Sequence, residues 1–77
     1  MIKRLHKAYG HWLLELNRST TKREFLYRCG RLDDVLDMLG SYYGFDSLEY
    51  KALRRTVHNV ELKTAQRLGL SYPDDEE

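Results

Sequence analysis

Asp33-Asp34-Val35-Leu36-Asp37 spells DDxxD, an acidic spacing that can hold magnesium against a diphosphate. On a helix Asp33 and Asp37 are four apart, share a face and could grip one cation together. Prenyl-diphosphate chemistry also needs a large helical cavity and a second acidic motif, and neither fits in 77 residues. The expectation is therefore an exposed acidic face flanked by Arg28 and Arg31. His6, His11 and His58 are the only histidines; a spacing of five keeps His6 and His11 off one helix face, and no cysteine or acid cluster completes a metal site. Cys29, the only cysteine, falls on an apolar seam and reads as a small packed hydrophobe rather than a nucleophile. No serine or threonine has an evident histidine–acid pair, and no glycine-rich loop follows a strand. The chain is expected to be no enzyme, with no cofactor and no metal.

Glu61 to Ser71 has the shape of a first helix and turn of a helix-turn-helix, with Ala65 inward and Gly69 at the turn. A recognition helix must follow to enter the major groove. Here Tyr72-Pro73 and four acids follow instead, so the segment reads as a helix ending.

The elements that must carry these groups are helical. Ile2, Leu5, Tyr9, Trp12, Leu13 and Leu16 fall within one 100° sector of a helix over residues 2–17. Lys3, Arg4, Lys7, His11 and Arg18 occupy its other side, with Leu14 among them. Thr21-Lys22-Arg23-Glu24 has the capping-box spacing of a new helix. Phe25, Cys29, Leu32, Leu36 and Leu39 then recur at 4, 3, 4, 3, the narrow seam of a helix pair. Gly30 could split that stretch into 22–29 and 32–39; one continuous or kinked helix is the first expectation. Gly40 to Phe45 reads as a turn, and Asp46-Ser47-Leu48-Glu49 restarts a helix. Tyr50, Leu53, Val57, Val60, Thr64 and Leu68 continue the seam, and Gly69-Leu70 fits a Schellman stop. The predicted fold is all-α, a three-helix bundle: an antiparallel hairpin covered by the N-terminal amphipathic helix, or four helices if Gly30 breaks the middle one. Residues 1–73 would form the single domain and 74–77 a frayed acidic tail.

Length and charge set the limits. A chain of 77 residues buries only about 60% of its unfolded surface, which excludes multidomain enzymes, dinucleotide folds and repeat arrays. The net charge of +1 hides two blocks: residues 1–31 carry eight bases against two acids, and residues 32–77 carry ten acids against five bases. Opposed blocks favour attraction between the chain's own ends or head-to-tail pairing of copies. A lone cysteine, no apolar leader and no long apolar run point to a soluble, cytoplasmic setting, with no membrane partner.

The run Thr21 to Arg28, followed by Cys29, Leu32-Asp33 and Val35, resembles the start of the haemolysin-expression-modulating family. Val60-Glu61-Leu62 is similar to a later stretch of it. The resemblance covers about half the chain, needs two gaps, and lacks the family's aromatic C-terminal segment and its Ala-Asp-His element around His58. It implies a small all-helical protein that binds the oligomerisation domain of a nucleoid-structuring protein and so affects gene silencing.

Six apolar residues lie off the predicted stripes: Leu14, Leu26, Tyr27, Met38, Leu48 and Leu62. That many in so small a chain point to a partner surface or a homodimer. The expected function is a non-enzymatic, protein-binding regulatory adaptor, with Leu14, Leu26, Tyr27, Met38 and Leu62 as its contact residues. The alternative is a nucleic-acid binder using Arg4, Lys7, His11, Arg18, Lys22 and Arg23.

Overall fold

The computed structural model describes residues 1–70, so the predicted Pro73 stop and acidic tail at 74–77 lie outside the described residues. Among these residues the elements are three helices, α1 (Ile2–Asn17), α2 (Lys22–Tyr43) and α3 (Leu48–Leu68), each packed on the other two. At 1.5 Å rise per residue, the 22 residues of α2 span about 33 Å. That matches the 35 Å long axis; the short axis is only 15 Å, a thin slab with much of each helix facing outward.

The core follows the predicted stripes. Tyr9 and Leu16 of α1, Phe25, Leu32, Val35, Leu36 and Leu39 of α2, and Tyr50, Val57 and Ala65 of α3 are buried together. Ile2, Leu5, Trp12, Leu13, Leu53, Val60 and Leu68 pack around them, half-buried. The Tyr9 hydroxyl donates to the Leu53 carbonyl at 2.9 Å, giving a buried ring a polar anchor across α1 and α3.

Thr21 caps α2, its hydroxyl accepting from the Glu24 amide at 3.1 Å. The Glu24 carboxylate reaches back to the Thr20 amide (2.9 Å) and hydroxyl (3.0 Å), one residue beyond the usual capping box. Ser47 caps α3 by accepting from the Tyr50 amide at 3.1 Å. At the far end Gly69 adopts the left-handed conformation, and the Leu70 amide donates to Ala65 carbonyl at 2.8 Å, the predicted Schellman ending.

The middle helix is continuous, as first expected: α2 runs unbroken through Gly30. One sequence expectation is corrected. Gly40 does not begin a turn: the helix continues to Tyr43, and the chain reverses at Gly44, whose φ is +96°. Gly40 is buried because the Phe45 ring folds back onto it, where any β-carbon would collide. A residue that reads locally as a helix breaker is here a seat for a side chain.

Two arginines clamp the 18–21 loop. Arg28 donates to the Glu15 carbonyl (2.8 Å) and Ser19 hydroxyl (3.3 Å), and forms ion pairs with Glu15 (3.5 Å) and Glu24 (3.8 Å). Arg67 donates from one nitrogen to the carbonyls of Asn17 (2.8 Å) and Ser19 (2.7 Å). Ser19 is fully buried beneath them.

Candidate functional site

Three surfaces hold the chemistry-bearing residues, and the predicted contact residues are divided among them.

The face shared by α1 and α2 carries four large exposed apolar residues. Met1 is 92% exposed, Tyr27 60%, Tyr42 59% and Met38 54%, all along one side of the slab. At one end a groove is lined by Met1, Arg4, Leu5, Met38, Ser41 and Tyr42. At the other a recess of about 590 Å³ is bounded by His11, Trp12, Glu15, Arg23, Tyr27 and the Arg28–Glu24 pair. Between them the Arg31 guanidinium lies 5.4 Å from the centre of the Trp12 ring, and Tyr27 meets the same ring edge-on at 6.0 Å. Trp12, half-buried, is the hub that joins the two helices on this side. Its angular position on α1 predicts a core-edge residue; the α2 groups that cover it come from 15 and 19 residues away and have no local signature.

The outer face of α1 is basic. Arg4, Lys7, His11, Leu14 and Arg18 recur at 3, 4, 3, 4, and all five are exposed. Lys22 and Arg23 follow in the first turn of α2, also exposed. The residues predicted for nucleic acid thus run in a row along α1 from Arg4 to Arg18, with Lys22 and Arg23 beside its C-terminal end. Leu14 stands alone among charges there, away from Tyr27 and Met38.

The cleft between α2 and α3 holds the titratable cluster. A cavity of about 300 Å³ is lined by Leu26, Cys29, Asp33, Arg54, His58 and Glu61, over a floor of Phe25, Leu36 and Val57. Burial pushes the Cys29 thiol well above the ordinary range, and the Glu61 carboxylate, which accepts its hydrogen bond, adds to the rise. Such a thiol supplies almost no thiolate for attack or for metal binding. Asp33 is also raised, first by burial and then by the charges of Glu61, Asp37 and Asp34, with Arg54 opposing. Among the described residues no group of three or more histidines, cysteines or acids is placed to hold a metal. The DDxxD run sits on an exposed turn of α2, apart from Val35 and Leu36, which are buried.

The five predicted partner contacts do not form one patch. Tyr27 and Met38 lie on the α1–α2 face, Leu26 on the α2–α3 cleft and Leu14 on the basic face. Leu62 is corrected from exposed to half-buried, one turn of α3 beyond His58. Leu48, at 81% exposure, opens α3. Residues that the sequence did not single out complete the apolar face, above all Met1 and Tyr42. No helix among the described residues is long and apolar enough to cross a membrane.

No family model, no curated protein and no solved structure matches this chain.

Proposed function

We propose that this protein is a non-enzymatic adaptor that works by binding another polypeptide across its α1–α2 face. The observation that carries this is the set of Met1, Met38 and Tyr42 around one groove, with Tyr27 at the recess beyond it, each more than half exposed. Methionine and tyrosine suit contact surfaces: a thioether adapts its shape, and a phenol is apolar with one polar tip. The bundle's core is complete without them, so packing alone gives them no reason to be apolar. A regulatory setting, within gene expression, rests on the resemblance of residues 21–35 to the haemolysin-expression-modulating family. A photo-reactive phenylalanine analogue at Met38 or Tyr42, irradiated in the native cell, is expected to yield polypeptide adducts. The same group at Asn59 or Gln66, exposed on α3, is expected to yield few. Equal labelling from both helices would overturn the proposal.

A second reading is favoured by the basic row on α1. The described residues carry thirteen Lys and Arg against eight Asp and Glu, an excess of five positive charges. Arg4, Lys7, His11 and Arg18 share one exposed stripe with Lys22 and Arg23 beside its end. Phosphate contacts release counterions, so a duplex bound at about 50 mM salt would be lost by about 200 mM. Lys7→Glu with Arg18→Glu leaves polypeptide adducts from Met38 unchanged if the first reading holds, and abolishes duplex binding if the second does.

A further inference from the structure

Along the exposed side of α2, next to α1, run Arg23, Tyr27, Arg31, Asp34, Met38 and Tyr42, spaced 4, 4, 3, 4, 4. All six are exposed, and at 100° per residue they hold to one longitudinal stripe. Their order has a particular symmetry. Paired from the outside inward, Arg23 goes with Tyr42, Tyr27 with Met38, and Arg31 with Asp34. Each pair is one that attracts: a guanidinium with an aromatic ring, a ring with a thioether, and a cation with a carboxylate.

We infer that the occupant of the α1–α2 face is a second copy of this chain, its α2 laid antiparallel to the first across a two-fold axis between Leu32 and Asp33. An isologous interface requires that residue i meet j and that j meet i. This stripe satisfies that condition at every position, so each attractive pair occurs twice. Parallel pairing of the same stripe sets Arg23 on Arg23, Arg31 on Arg31 and Asp34 on Asp34, three repulsions. The charge order therefore selects the antiparallel arrangement as well as permitting it.

Shape agrees with charge. Tyr27 and Met38 are eleven residues apart, about 16 Å along the helix, at equal distances from the axis. Beside Tyr27 lies the recess walled by Trp12; at the other end Met38, Tyr42 and Met1 stand exposed around the groove. The two-fold carries the exposed methionines and Tyr42 of one copy over the recess of the other. Arg31, held near Trp12 by its guanidinium, sits beside the axis, where a partner's Asp34 would meet it. The outer row of α1 lacks this match: it is basic from Arg4 to Arg18, so a second copy of it repels.

The inference rests on the proposed use of the α1–α2 face for polypeptide contact and names the occupant. The stripe is narrow and half polar, so the association is of the weak, transient class. Sedimentation of the full chain from about 10 µM to 1 mM is expected to rise from the 9.2 kDa monomer toward about twice that mass. Arg31→Asp leaves acids at both axial positions, and Asp34→Arg leaves bases at both. Each variant alone is expected to weaken association at least about tenfold, with helical circular dichroism unchanged. Mixed in equal amounts, the two restore opposite charges at both axial contacts and are expected to recover the dimer, as is the double variant Arg31→Asp/Asp34→Arg. A wild-type chain that stays at 9.2 kDa across the range overturns self-pairing. So do single variants that associate like wild type, or a mixture that fails to recover. Adducts from Met38 to a different polypeptide, with the chain itself monomeric, would end this inference and leave the proposed function standing.

Discussion

Arg67→Met should cost more stability than an exposed residue in a last helical turn normally would. The side chain bridges fifty residues of sequence, one nitrogen donating to the carbonyls of Asn17 at 2.8 Å and Ser19 at 2.7 Å. The Asn17 contact is exposed, so water replaces it and its loss costs about 0.5 kcal/mol. Ser19 is fully buried, and its carbonyl would lose a charged donor in surroundings that admit little water, costing about 1.5 kcal/mol. Unfolding entropy of roughly 2.1 cal/mol/K per residue gives about 160 cal/mol/K for the chain, so a loss of ~2 kcal/mol lowers the melting midpoint by about 12 °C. Arg67→Lys keeps the favourable charge at the C-terminus of α3 but has a shorter reach, and should recover less than half of the loss. Thermal and urea melts at low protein concentration read this directly, with the urea slope unchanged. A drop below about 3 °C for Arg67→Met would mean that the loop at 18–21 holds without its clamp.

Four further outcomes follow from named groups. Asp33 has a folded-state pKa raised above its unfolded value, so it favours the native state below its unfolded pKa and becomes a cost as pH rises through the folded one; Asp33→Asn should stabilise the chain in urea at pH 7, with the gain gone by about pH 3. Cys29 should react with a disulfide reagent at least about tenfold more slowly than an unfolded control, and Glu61→Gln should speed it by removing one cause of its raised pKa. The Thr64 hydroxyl is buried with no hydrogen-bond partner, so Thr64→Val should raise stability by about 1 kcal/mol in the same melts. Gly10 lies mid-helix with open space where a β-carbon would go, and Gly10→Ala should add roughly 0.5–1 kcal/mol; a loss there would mean that α1 needs its glycine for contact.

The helices were legible wherever local chemistry sets them. The sector from Ile2 to Leu16, the Thr21 cap and the Gly69 ending are written in residues within a turn or two of each other, and all three appear at those positions. The extension of α2 past Gly40 was not legible, because the run from Gly40 to Gly44 reads as a turn, and the Phe45 ring that packs on the bare α-carbon of Gly40 shows only in the fold. The clamps at Arg28 and Arg67 likewise act across 13 to 50 residues, a separation at which a basic side chain carries no sign of its target. Burial of Glu61 was hidden for a related reason: its neighbours Val57, Thr64 and Ala65 mark an inward side, but its charge argues outward. The candidate surface was half visible. Tyr27 and Met38 stood out as apolar residues off the stripe, while Tyr42 looked like part of a turn, and Arg23, Arg31 and Asp34 looked like ordinary solvated charges. Only the continuous helix lines the six up.

The proposed contact face between α1 and α2, with the α2 stripe as its self-complementary part, is tested most directly in solution. Amide and side-chain NMR spectra of the full chain, recorded from about 20 µM to 1 mM, locate any association residue by residue. Concentration-dependent shifts confined to Arg23, Tyr27, Arg31, Asp34, Met38 and Tyr42, with the Trp12 indole moving alongside, are the predicted result. Shifts centred instead on Leu14 and the basic row of α1, or on Leu26 and the α2–α3 cleft, would contradict it.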